Sequence, residues 1–410
     1  MNFFNLPKTG HYKADIISGI TVGIITIPQG MAFALLAGLP PIYGLYGSLI
    51  PLVIYAFFAS SNFLNIGPVS VISIFIFESV TPYEVPFTND YLNAVMLLGI
   101  MIGLIQLLAG FLKFGKFLDF IPKSVISGFV QAAAVVIIIS QLPLGIGFQY
   151  PIAASSVDKI IYLLKQPDQI HGITTILFTF SLLVLFFLGA WFPKFPTAIL
   201  LLFITGISAY LFKLETYGIE LIGEVPQGLP ALLIPAFSWE SIRLLPSAFG
   251  IAFVATMGSY VMAKNVEDQQ ANPWNPNQDM IALGMAKIGS AFFGSLIPAG
   301  SFNRSILNIK AGAKTQFSNL VAAAIILFTL LFLTPIVYYL PQAVIAAIIV
   351  YSVYFLFDIQ LIRNLWKTDR KESLFLLITA LVTLLLGFVE GIVFGLIFSL
   401  VFRYLFFKKG

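Results

Sequence analysis

The sequence predicts an all-α polytopic membrane protein, with fourteen transmembrane segments arranged as two inverted halves of seven. Three observations predict it. The 410 residues are 59% hydrophobic and only 10% charged, where a soluble domain carries roughly a quarter charged residues. That apolar content is compatible only with an exterior that faces lipid. The apolar residues fall in long runs divided by short loops, and the loop charges are asymmetric.

The runs lie at 14–37, 42–59, 68–80, 92–112, 122–140, 172–191, 196–212, 246–263, 279–297, 302–309, 317–333, 341–357, 373–388 and 390–407. About 20 helical residues cross the hydrocarbon layer, so 68–80 and 302–309 are too short. Each follows a helix-breaking entry, Gly67-Pro68 in one case and Pro298-Ala299-Gly300 in the other. With the N-terminus inside and the spans alternating, most of the 22 Lys and Arg fall on the cytoplasmic side, among them Lys113, Lys116, Lys123, Lys310, Lys314, Arg363, Lys367, Arg370, Lys371, Lys408 and Lys409. The outer loops are acidic, with Glu84, Asp90, Asp158, Asp168, Glu215, Glu220, Glu224 and Glu240. This is the positive-inside pattern, and it puts both termini in the cytoplasm. From the polar start of the chain no cleavable leader is expected.

The Pro-rich stretch 214–245 divides the chain into a first repeat, 1–213, an extracellular linker and a second repeat, 246–410. Halves of odd span number have opposite orientations. The short run is third in each half, and interrupted helices at matching positions of inverted halves point to a midplane substrate site. The bland alternative is a pair of ordinary short helices with Gly-Pro entry loops.

If both short helices begin at mid-membrane, each presents unpaired N–H groups and a positive dipole end, which together favour an anion. Ser70 and Ser301 can cap or donate a hydroxyl, and Arg304 lies one turn into the second short helix. A permanent charge at that depth is costly enough to be functional by default. Its structural alternative is an ion pair with Glu78 or Glu390, or an arginine that reaches back to a surface. In the first run, Pro28 and Gly30 are expected to break the helix beside Gln29 and Phe33. Gln29 could bond a ligand or only a neighbour. Lys287 is a second charge inside an apolar run, able to pair, to reach a surface, or to add fixed positive charge near the site.

Several classes are excluded or disfavoured. The chain has no Cys and two His, so thiol chemistry is absent and a His- or Cys-based metal site is not expected. Basic residues confined to short loops do not suggest nucleic acid. No phosphate-binding GxxxxGK[ST] run is present, so an ATP-driven pump is disfavoured. No intramembrane catalytic constellation is visible, so no enzyme is expected, and no cofactor. The remaining alternative to a carrier is a passive anion channel.

Taken together, IPQGMAFALLAGLPPIYGLYGSLIP at 27–51, NIGPVSVIS at 65–73, NQDMIALGMAKIGSAFFGSLIPAGSFNRS at 277–305, AGAKTQ at 311–316 and LPQAVIAAIIV at 340–350 resemble the SulP family of anion permeases, bacterial relatives of pendrin and prestin. The resemblance implies the uracil-permease-like inverted-repeat fold in a bacterial inner membrane. Spans 1–4 and 8–11 would form a mobile core domain. Spans 5–7 and 12–14 would form a gate domain, often at a homodimer contact. It implies secondary active transport of a small anion (sulfate, bicarbonate, chloride or a dicarboxylate) by alternating access. By motif, the anion site maps to Gln29, Phe33, Val69, Ser70, Ser301, Phe302, Asn303 and Arg304. The chain departs from the family in three places. It stops at Gly410, so no cytoplasmic STAS domain is expected in it. Gly258 stands where many members carry a Glu that serves as the candidate for coupling to a proton or sodium co-ion. Lys287 stands where Asn is common. Both substitutions make the site more positive, which suggests exchange or uniport in place of cation coupling.

Overall fold

The computed structural model describes residues 11–115, 118, 122–148, 156–191, 197–223, 227–269, 274–354, 357, 359–386 and 388–407. The start of the chain, Lys116, Glu224 and Lys408 to Gly410, all used above, lie outside the described residues. Each of the fourteen apolar runs carries helix. The first half holds α1 (Tyr12–Leu36), α2 (Pro41–Phe58), a two-residue strand β1 (Ile66–Gly67), α3 (Ser70–Val80), α4 (Asn89–Phe111), α5 (Lys123–Ile146), α6 (Ser156–Lys165), α7 (Gly172–Trp191) and α8 (Thr197–Phe212). The second half repeats that order. It has α9 (Leu245–Gln269), α10 (Pro276–Ala291), β2 (Ala299–Gly300), α11 (Phe302–Lys310), α12 (Phe317–Phe328) continued through a π turn into α13 (Thr334–Val337), α14 (Gln342–Tyr354), α15 (Ile359–Thr368), α16 (Arg370–Leu386) and α17 (Phe388–Phe407).

Local chemistry sets the ends. Thr88 caps α4 by accepting from the Tyr91 N–H, and Asn275 caps α10 by accepting from Asn277 and Gln278, with Pro276 at the first position where its missing N–H costs nothing. Asp369 caps α16 through Lys371 and Glu372. Gly147 closes α5 in the left-handed conformation.

Packing divides the helices. α1, α2, α3, α4, α9, α10, α11 and α12 contact mainly one another, and α5, α7, α8, α14, α16 and α17 contact mainly one another. Contacts between the groups are sparse and run chiefly through α1 with α14 and α3 with α5. The strands pair across the halves, antiparallel, with Ile66 opposite Gly300 and Gly67 opposite Ala299. This ladder brings the starts of α3 and α11 together.

One expectation is corrected. Pro28 does not break α1, which is helical from Tyr12 to Leu36 with the proline inside it. The missing proline N–H removes a single helical bond, and the surrounding helices hold the rest in place. Gly30 serves close approach: a Cβ there would lie 2.9 Å from the Gly44 carbonyl of α2, the small-residue contact that membrane helices use.

Candidate functional site

A cavity of about 140 Å³ opens where α3 and α11 begin. A single water needs roughly 10–15 Å³ by the same measure, so a small polyatomic anion fits. Gln29, Phe33, Val69, Ser70, Ser301, Phe302, Asn303 and Gly258 all line it. The opposite wall is apolar and comes from the other helix group, with Val125, Ile126, Phe129 and Val130 of α5 and Val353 of α14. Neither short helix has a side-chain cap at its start, where Val69 and Ser301 occupy the capping positions. The first residues of each helix, Ser70 and Val71 in α3 and Phe302 and Asn303 in α11, line the cavity, and their N–H groups have no partner within the helix.

Arg304 sits behind that wall and is not among the lining residues. Its side chain is 1% exposed. Nε donates to Asn65 Oδ1 at 2.8 Å and Nη1 to Gln29 Oε1 at 3.4 Å, while Nη2 has no hydrogen-bond partner among the described residues. The carboxylate partners considered from sequence are not used. Glu78 is exposed near the far end of α3, and Glu390 is exposed on α17. Both partners of the guanidinium are neutral, so its charge is left for Gln29 and the cavity to feel. Lys287 is likewise 1% exposed, with Nζ lacking a hydrogen-bond partner among the described residues, but it does not line the cavity. At Gly258 an added Cβ would meet nothing within 4 Å.

Sequence reasoning missed the residue that organises the site. Asn65 is fully buried and all four of its polar groups are used. Its side chain accepts from Arg304 and donates to Asn319 Oδ1 at 2.7 Å. Its N–H donates to Ser305 Oγ at 2.9 Å, and its carbonyl accepts from the Ser301 N–H at 2.9 Å. One residue, through its backbone and side chain, thus fixes β1, the start of α11 and the guanidinium together. Ser259 of α9 adds a further tie by accepting from the Gly300 N–H at 2.9 Å. The signal was an Asn at the edge of an apolar run, inside a quoted motif but given no role.

Gly67 is the tight point. Its φ of +154° is one that L side chains rarely adopt, and a Cβ there would lie 3.1 Å from Arg304 Nη2. Such strain costs about 1–3 kcal/mol. Gly67→Ala is expected to lower anion uptake at least tenfold while the protein still purifies as a single species. Uptake by Gly67→Ala at the wild-type rate would show that this contact does not matter.

Comparison with known proteins agrees with the fold. The sulfate permease family matches residues 12–379. "Probable sulfate transporter 4.2" of Arabidopsis thaliana is 36% identical over 90% of this chain and 56% of its own length. "Sodium-independent sulfate anion transporter" of Bos taurus is 31% identical over 90% of this chain and 66% of its own length. The chain therefore spans little more than half the length of several curated relatives. Among solved structures, the murine Solute Carrier 26 family member A9 anion transporter superposes with a TM-score of 0.90 at 24% identity, covering 98% of this chain and 69% of that one. The transmembrane domain of a cyanobacterium bicarbonate transporter superposes with a TM-score of 0.83 at 23% identity, covering 94% and 98%. At these identities the two structures speak for the fold, an inverted repeat of helices in a membrane. With its apolar helices, its paired half-helices and this match over most of its length, the chain is a polytopic integral membrane protein that belongs to the sulfate permease family.

Proposed function

We propose that the protein is a secondary anion transporter that binds its substrate between the starts of α3 and α11. The observation that carries this reading is the meeting of two uncapped helix N-termini at one cavity, with Arg304 buried behind it on neutral partners only. Helix N-termini and an unneutralised guanidinium both favour negative charge. Gln29, Ser70 and Ser301 are the side-chain donors, and Phe33 and Phe302 close the site off from water. The names of the relatives favour sulfate, and that of one structural neighbour favours bicarbonate.

The polar wall of the cavity belongs to one helix group and the apolar wall to the other. This supports movement of α1–α4 and α9–α12 as a core against a gate formed by α5, α7, α8, α14, α16 and α17, carrying the site across the bilayer. A homodimer would form through the gate, and the loop charges favour a cytoplasmic side at Lys310 and Arg363. Lys287 and Gly258 favour exchange or uniport over coupling to a proton or sodium ion.

The test is uptake into liposomes holding purified protein. Saturable counterflow of labelled sulfate, bicarbonate or chloride is expected, with little acceleration by a proton or sodium gradient. Single-channel currents without counterflow would make the protein a passive channel. Strong acceleration by either cation gradient would overturn the uncoupled reading.

A further inference from the structure

The inverted repeat includes a feature that the fourteen apolar runs do not show. Each half carries one further helix of ten residues, α6 between α5 and α7 and α15 between α14 and α16. Inversion places the pair on opposite faces of the membrane. Both are amphipathic in sequence, but their charges differ. α6 has Asp158 with Lys159 and Lys165, whereas α15 has Arg363 and Lys367 and no acid.

The faces of α15 can be read from its burial. Leu361, Ile362 and Leu365 are partly buried, and the helix packs on α16. Ile359 and Trp366 extend the apolar side outward and are 59% and 53% exposed. At about 100° per residue, Arg363 and Lys367 come next on the helix surface, and both are exposed. Arg370 and Lys371 follow directly in the chain. Of the acids beside them, Asp369 caps α16 and Glu372 accepts from Ser124 of α5. A tryptophan beside two cations, on a short helix linking two membrane spans, is the arrangement that lies along a bilayer surface.

We propose that α15 is a docking site for anionic phospholipid headgroups, with Trp366 and Ile359 seated at the acyl boundary and Arg363 and Lys367 on lipid phosphate. The cytoplasmic leaflet is the anionic one, and the assignment of α15 to it rests on the orientation proposed above. Its partner α6 lacks the cationic surplus and would hold the opposite interface by apolar contact alone. Because α6 packs on α5 and α15 on α16, both of the gate group, the two helices would hold the gate level while the core moves.

The experiment uses the full chain with Trp191, Trp239 and Trp274 replaced by Phe, leaving Trp366 as the reporter. It is reconstituted with brominated phosphatidylglycerol or brominated phosphatidylcholine in both leaflets, so the result does not depend on orientation. Each basic residue at an anionic surface is worth about fivefold in affinity. Trp366 should therefore be half-quenched at a roughly 30-fold lower fraction of the anionic lipid. Arg363→Gln with Lys367→Gln should reduce that preference to about twofold or less, with anion uptake retained as evidence of folding. Free inorganic phosphate should not reverse the quenching. Equal quenching by both lipids, no quenching, an unchanged preference in the double variant, or displacement by free phosphate would each overturn the proposal. Sidedness is read separately, from labelling of a single Cys at Asn364 by an impermeant maleimide in whole cells. Labelling from outside would remove the cytoplasmic assignment and leave the lipid contact standing.

Discussion

Arg304→Ala is expected to abolish measurable anion uptake without unfolding the protein. The guanidinium reaches the cavity through Gln29, which lines it. Hydrogen bonds to charged groups contribute about 1.5–3 kcal/mol, which corresponds to roughly 10- to 150-fold in affinity, before the loss of the field itself. The Ala variant also leaves Asn65 Oδ1 without its charged donor. Arg304→Lys separates the two effects. It keeps the charge but not the fork that reaches Asn65 and Gln29 together, so partial uptake with weakened affinity is expected. The measurement is concentration-dependent uptake in liposomes, alongside a size-exclusion profile for folding. Wild-type affinity in Arg304→Ala would remove this residue, and with it the electrostatic basis of the site.

Glu267→Ala should be the most damaging change to stability. Glu267 is fully buried. Its Oε1 accepts from Ser61 Oγ at 2.5 Å, the Asn62 N–H at 2.8 Å and the Phe63 N–H at 3.2 Å. Asp279 takes the neighbouring N–H groups of Ser60 and Ser61 at 2.6 and 3.0 Å. Together the two carboxylates hold the turn that leads from α2 into β1. Each buried donor left unpaired costs about 1–3 kcal/mol, so several kcal/mol should be lost. The thermal midpoint in detergent should fall sharply, and uptake should fall with the folded fraction. Glu267→Gln keeps an acceptor and should be intermediate. An unchanged midpoint in Glu267→Ala would mean that water replaces the carboxylate and that the turn does not need it.

The architecture was legible in the sequence because bilayer physics writes it plainly. Apolar length marks helices, and Gly67-Pro68 with Pro298-Ala299-Gly300 marks the two half-helices. What stayed hidden depends on contacts between residues far apart in the chain. Asn65 and Arg304 are 239 positions apart, and nothing local says that one holds the other. The same holds for Asp15, which is buried and clamps Lys314 and Thr315 at the end of the α11 loop. Glu78 and Glu390 were the carboxylates weighed as partners of Arg304, but the amides of Asn65 and Gln29 take that role. Pro28 misled because proline breaks an isolated helix more readily than one packed on both sides. α6 and α15 were missed because ten-residue amphipathic helices are too short and too charged to register as apolar runs.

The ladder between β1 and β2 joins residues more than 230 positions apart through two residue pairs, and Asn65 locks it to the start of α11. The two halves of the site therefore cannot separate without losing those bonds. A substrate carried by such a unit would be relocated rather than handed from one set of contacts to another. Both compartments would then meet the same pocket, and any difference in apparent affinity between the two sides of the membrane would belong to the gate alone.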